Sequence, residues 1–90
     1  MAVKTIIKFY AEWCGPCKAY NSTWDEVKKD LRDQYKFMEV DIDKDTSGMA
    51  AQYNVRSVPF TLVLNNNDAS IAGKEVGLLT ENQLRDLITK

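Results

Sequence analysis

The chain has 90 residues, 44% of them hydrophobic and 28% charged, and a net charge of −1. That length suits one globular domain, residues 1–90, near the small end of what a single core can stabilise. The balanced charge gives no electrostatic footprint for nucleic acid or an anionic membrane, and no apolar run approaches the length of a membrane span.

The first residues, Met1-Ala2-Val3-Lys4, lack the apolar stretch and cleavage site of a secretory leader. The expectation is a cytoplasmic monomer with neither nucleic-acid nor membrane partners. In that setting a pair of cysteines is more often catalytic than structural. No repeat, linker or low-complexity segment interrupts the chain.

Val3 to Tyr10 reads as a strand rich in β-branched and aromatic residues, apolar enough for the centre of a sheet, with Lys8 interrupting it. From about Gly15 to Asp33 the period turns helical. Tyr20, Trp24, Val27 and Leu31 share one face, and packing in a core explains them without a cofactor. Phe37 to Ile42 is a second strand, and strand–helix–strand at this spacing implies a right-handed crossover between parallel strands. Asp41, Asp43 and Asp45 alternate like cation ligands but lack the glycine and distant glutamate of a calcium loop. A solvated strand end fits better, with Asp45 capping a short helix from Thr46 to Tyr53 that stops near Asn54. Pro59 to Leu64 and Ser70 to Val76 form a hairpin around Asn65-Asn66-Asn67-Asp68. A last helix starts at Thr80, with Gln83 placed for a capping box and Leu84, Leu87 and Ile88 as its apolar stripe.

Both cysteines lie in Ala11-Glu12-Trp13-Cys14-Gly15-Pro16-Cys17-Lys18, where the first strand meets the first helix. A thiol at a helix N-terminus faces unpaired N–H groups and the positive end of the helix dipole, which lowers its pKa and enriches the thiolate. The second thiol, one turn on, can close a disulfide onto it. Gly15 allows a tight bend and an open site, and Pro16 presets the first helical turn. Two rival readings are weaker. Zinc usually takes four ligands, and the chain has neither histidine nor a third cysteine, so no metal is expected. A structural disulfide closing so short a loop gains little in the unfolded state.

Trp13-Cys14-Gly15-Pro16-Cys17-Lys18 resembles the active-site motif of the thioredoxin family. Arg56-Ser57-Val58-Pro59 and Val76-Gly77 match later features of that family in order, and the resemblance covers nearly the whole chain. It implies an α/β fold, the minimal thioredoxin core β-α-β-α-β-β-α: a four-stranded mixed sheet with helices on both faces. Family members generally carry an extra strand and helix before this core. The chain starts too late to include them, so the Phe37–Ile42 strand is expected at a sheet edge, guarded by Lys36, Glu39 and Asp41.

The resemblance further implies a protein-disulfide reductase in electron transport, with no cofactor beyond a redox-active Cys14–Cys17 disulfide. Cys14 corresponds to the exposed nucleophile and Cys17 to the resolving thiol. Pro59 matches the family's cis-proline, leaving the Val58 backbone free to pair with an extended substrate. Trp13, Gly15, Pro16, Val58, Val76 and Gly77 match an apolar docking rim, although Val58 and Val76 also suit a core and Gly77 a plain strand end. Lys18 completes the motif. The implied partners are disulfide-bearing proteins and a thioredoxin reductase or other electron donor.

Several positions depart from the family. Lys8 stands where a buried aspartate is common, and Glu39 where the neighbouring strand often has a lysine, which looks like a reversed ion pair behind Cys17. The rival for Lys8 is a stem along the core with its head in solvent. Tyr10 replaces a tryptophan, Ser22 replaces the proline that bends the first helix, and the hairpin before Gly77 is about two residues longer. Two other functions stay open: a glutaredoxin-like protein reduced by glutathione, and a thioredoxin-like binding module without turnover.

Overall fold

A computed structural model of the chain describes residues 3–90; Met1 and Ala2, the start of the expected leaderless N-terminus, lie outside the described residues. The elements are β1 (Lys4–Tyr10), α1 (Gly15–Leu31), β2 (Lys36–Asp41), α2 (Met49–Gln52), β3 (Phe60–Asn65), β4 (Ile71–Val76) and α3 (Glu81–Thr89). The sheet order is β2-β1-β3-β4. β1 pairs with β2 in parallel and with β3 antiparallel, and β3 pairs antiparallel with β4. This is the mixed four-stranded arrangement expected, with β2 at an edge.

β1 holds five consecutive buried residues because helices or loops cover both of its faces. Alternation sends Ile6 into a core with Tyr20, Trp24 and Val27 of α1, Val63, and Leu84 and Ile88 of α3. It sends Ile7 and Phe9 into a second core with Phe60, Leu62 and Leu64, over which Met49 and Tyr53 pack from the α2 side. On β4 the approach to α3 is tight: a Cβ on Gly73 would sit 2.7 Å from Leu87 Cδ1. α3 begins with the expected box, Gln83 N–H donating to Thr80 Oγ1 and Thr80 N–H to Gln83 Oε1.

The largest departure is α2, a single turn rather than a helix from Thr46. Asp45 accepts from the Ser47 N–H, the Ser47 hydroxyl and the Ala50 N–H. Those bonds hold the chain in a tight turn that reaches left-handed backbone at Gly48 (φ 77°) before helix can start. Asp45 therefore caps the first turn, as expected, but from farther away. β2 starts and ends one residue earlier than its apolar run. β3 starts at Phe60, since Pro59 has no N–H to offer a ladder. Asn54 ends the α2 region in the left-handed conformation (φ 56°). Of the edge guards, Lys36 and Glu39 are exposed and Asp41 is half-buried. Glu39 also turns toward α1, where it meets two lysines.

Candidate active site

The turn from β1 into α1 places the two cysteines. Cys14 is the N-cap of α1 and has extended backbone, Pro16 lies in the first turn, and no acidic residue occupies that turn. Cys17 N–H points at Cys14 Sγ, 3.1 Å away, so the first sulfur takes one of the helix's unpaired donors. A disulfide joins Cys14 and Cys17. A sulfur here, once reduced, meets a donor and a positive dipole end with no nearby carboxylate in the turn to oppose them.

Cys14 is only 4% exposed and Cys17 2%, so Cys14 is less open than the sequence suggested. The cover comes from Ala11, Tyr10, Ile42 and Val58, which pack around the pair. Gly15 does not have left-handed backbone, and a Cβ built on it meets nothing within 4 Å. No bend requires a glycine there. It only keeps the surface beside Cys14 open.

Across from the cysteines, the Val58–Pro59 peptide bond is cis, and the Val58 carbonyl oxygen lies 3.6 Å from Cys14 Sγ. Gly77, with left-handed backbone (φ 101°), donates its N–H to the Pro59 carbonyl. That bond ties the end of β4 to the proline turn and presents Val76, which is 61% exposed and so no core residue. Val58 is half-buried between the second core and the cysteines. Trp13 is 69% exposed, yet its indole Nε1 donates to Asp43 Oδ2 at 2.7 Å. Of these residues Val58 packs against the cysteines, Gly77 is tied to the neighbouring Pro59, and Trp13 and Val76 stand exposed.

On the other side of the pair is an open cleft of about 450 Å³ lined by Tyr10, Ala11, Glu12, Cys17, Lys18 and Asn21. One of its lining residues, Asn21, is bonded to Lys8. Lys8 is 2% exposed, which rules out a solvent-reaching head, and burial lowers its pKa against the opposing pull of Glu39. Lys8 Nζ is 3.4 Å from Glu39 Oε1, and Glu39 Oε2 is 3.6 Å from Lys28 Nζ. The shortest bond of Lys8 goes elsewhere, to Asn21 Oδ1 at 2.7 Å. The ammonium also lies 5.3 Å from the Trp24 ring centre and 5.5 Å from that of Tyr10.

The sequence reading did not single out Asn21 or Asp43 for the site. Asn21 was findable, since it stands one helical turn after Cys17 and shares its face. Asp43 was not, because its contact with Trp13 is set by where the β2 end meets the β1–α1 turn. The three aspartates do not converge on a cation: Asp41 accepts the Asp43 N–H, Asp43 the indole, and Asp45 the α2 turn. Among the described residues no cluster of three or more His, Cys, Asp or Glu could hold a metal ion, and no helix is long and apolar enough to cross a membrane.

A sequence model of the family "Thioredoxin" matches residues 2–90. A thioredoxin of Mycoplasmoides gallisepticum is 34% identical over 85 residues, covering 94% of this chain and 81% of that protein. A thioredoxin of Rickettsia typhi is 35% identical, covering 94% and 78%. Among solved structures, Fasciola hepatica thioredoxin superposes with a TM-score of 0.85 at 27% identity, over 98% of this chain and 80% of its own. The germline-specific thioredoxin Deadhead of Drosophila melanogaster superposes at 0.83 with 28% identity, over 94% and 77%.

Proposed function

The chain belongs to the thioredoxin family and is a thiol–disulfide oxidoreductase, and from that premise we propose a two-step reduction of protein disulfides in which Cys14 attacks and Cys17 resolves. The Cys14 thiolate attacks one sulfur of a substrate disulfide, and the other leaves as a thiolate that takes up a proton. Cys17 then loses its proton and attacks Cys14 Sγ. The Cys14–Cys17 disulfide closes, and the second substrate sulfur departs as a thiolate. One electron pair passes from the dithiol to the substrate. A reductase of the kind that serves thioredoxins returns it.

The observation that carries these roles is the N-cap position of Cys14, whose sulfur receives the Cys17 N–H at 3.1 Å. The rim of Trp13, Gly15, Pro16, Val58, Val76 and Gly77 receives the substrate. Pro59 turns the Val58 backbone toward it, and the exposed Lys18 borders the cleft by Cys17. Lys8 and Glu39 support the site as a pair with reversed charges. The protein works as a cytoplasmic monomer, one domain over residues 1–90, carrying its electrons on the reduced Cys14–Cys17 dithiol.

Insulin reduction tests the assignment. Wild type with NADPH and a thioredoxin reductase turns over, and Cys14→Ser is inactive. Cys17→Ser accumulates a mixed disulfide with the substrate. Faster turnover with glutathione and its reductase would move the protein to the glutaredoxin-like reading, and binding of partners without any turnover would make it a binding module.

A further inference from the structure

Resolution requires a thiolate at Cys17, which lies inside the first turn of α1 and does not receive the N-cap bond that Cys14 receives. On the same helix, one turn further on, Asn21 holds a buried cation, Lys8. Asn21 follows Cys17 by one turn, a spacing that brings Cβ atoms within about 6 Å of each other. Both line the same cleft, together with Tyr10. Asn21 Oδ1 holds the Lys8 ammonium at 2.7 Å, and that ammonium is 5.5 Å from the centre of the Tyr10 ring. Lys8 is thus held by two residues, Asn21 and Tyr10, that line the same cleft as Cys17.

The surrounding charges leave this cation effective. From β2, Glu39 is 3.4 Å from Lys8, but it is 40% exposed and is shared with Lys28 of α1. Asp25 of α1 acts on Lys8 only through space. From β3, Thr61 is neutral, and its hydroxyl is engaged by Tyr20. At the cleft mouth Glu12 is tied to Lys44 at 3.2 Å, and Lys18 adds a second cation beside Cys17. An ammonium held at fixed distance from a sulfur favours the thiolate.

We propose that Asn21 is a positioning residue for disulfide reduction: it anchors the buried Lys8 ammonium at the cleft that Cys17 lines, so that the resolving thiolate forms and attacks at lower pH than an unassisted thiol. This rests on the assignment of Cys17 as the resolving thiol.

The test is stopped-flow reaction of the reduced protein with 5,5′-dithiobis(2-nitrobenzoate) across pH. Cys14 attacks the reagent, releases one thionitrobenzoate and keeps the other in a mixed disulfide. Cys17 then displaces the second and closes the Cys14–Cys17 bond, so at saturating reagent the release whose rate no longer depends on reagent concentration reports resolution alone. In Asn21→Ala the first phase keeps its pH profile, while the midpoint of the second moves up by about half a unit to one unit. Asn21→Asp moves it further up, because a carboxylate now faces the sulfur. Lys8→Met moves it as Asn21→Ala does, and adding Asn21→Ala to Lys8→Met changes nothing more. A second-phase profile in Asn21→Ala and Asn21→Asp that superimposes on wild type overturns the proposal, and Asn21 is exposed enough for both variants to fold. A shift that persists when Asn21→Ala is added to a folded Lys8→Met protein also overturns it. Failure of the underlying assignment has a different signature: Cys17→Ser would then remove the first phase rather than the second.

Discussion

The indole of Trp13 donates to Asp43 Oδ2 at 2.7 Å, bridging the β1–α1 turn and the end of β2 although Trp13 is 69% exposed. A large apolar ring standing in water needs a reason to keep one orientation, and this hydrogen bond to the Asp43 side chain supplies one. Asp43→Ala should leave folding stability within about 1 kcal/mol of wild type, since the bond lies at the surface. The same change should raise KM for insulin severalfold with little effect on kcat, because the rim loses a fixed wall. Asp43→Asn keeps an acceptor and should restore most of the loss. An unchanged KM in Asp43→Ala would remove Trp13 orientation from substrate docking.

Cys14 should be the thiol that iodoacetamide takes first. Its sulfur meets the N-terminus of α1 and the Cys17 N–H, so its thiolate should persist below the ordinary cysteine pKa of about 8.5. With both sulfurs nearly buried, selectivity comes from thiolate fraction and approach over the open side at Gly15, not from exposure alone. Labelling across pH with peptide mapping checks this, and preferential modification of Cys17 would reverse the two roles.

Local patterns made most of this fold readable. The α1 stripe of Tyr20, Trp24 and Val27, the capping box at Thr80 and the central position of β1 each follow from spacing that one segment carries by itself. The cis bond before Pro59 was readable only through family resemblance, since the chemistry of Val-Pro permits either isomer. The depth of Lys8 was not readable. An interrupting lysine on an apolar strand can run its head to solvent or be enclosed, and the outcome depends on α1 covering that face of β1. Glu39 was expected as its partner. The closer one, Asn21, lies on a helix whose rotation about its axis is fixed by Trp24 and Val27 in the core. α2 was overread because Asp45 can cap a helix directly or through an intervening turn, and the left-handed backbone at Gly48 decides for the turn.

Gly73 is needed for packing rather than for backbone freedom. A Cβ there would lie 2.7 Å from Leu87 Cδ1, and only the far end of that side chain can give way. Gly73→Ala should destabilise the protein by about 1–2 kcal/mol, the overpacking cost being reduced by the better strand propensity of alanine. Gly73→Val should cost more. Combining Gly73→Ala with Leu87→Ala should cost less than the sum of the two single changes, because the truncated side chain vacates the contested space. Urea unfolding of the four proteins checks this, and additive losses would mean that α3 shifts as a whole.

The alkaline limb of stability should be shaped by two buried groups acting in opposite directions. Burial pushes the Tyr20 phenol up to about 12 from its usual 10.0, partly offset by its 2.8 Å hydrogen bond with Thr61. Its folded pKa exceeds its unfolded one, so its contribution is full below pH 10 and is lost as pH rises toward 12. Two units correspond to roughly 2.7 kcal/mol. Lys8 works the other way: burial lowers its pKa from 10.5, the unfolded chain binds more protons between the two values, and stability rises with pH through that window. The disulfide-bonded protein, in which thiols do not titrate, should therefore gain stability approaching about pH 10 and lose it beyond. Lys8→Met should flatten the rise and leave the fall. Tyr20→Phe should flatten the fall at a cost of about 1–2 kcal/mol at neutral pH, because the buried Thr61 hydroxyl loses its partner. Lys44, whose pKa is raised by Glu12 at the surface, titrates alike in all three proteins and cancels in the comparison. Urea denaturation at steps from about pH 8 to pH 12 reads both limbs, and a fall that survives Tyr20→Phe unchanged would assign the alkaline loss to groups other than this phenol.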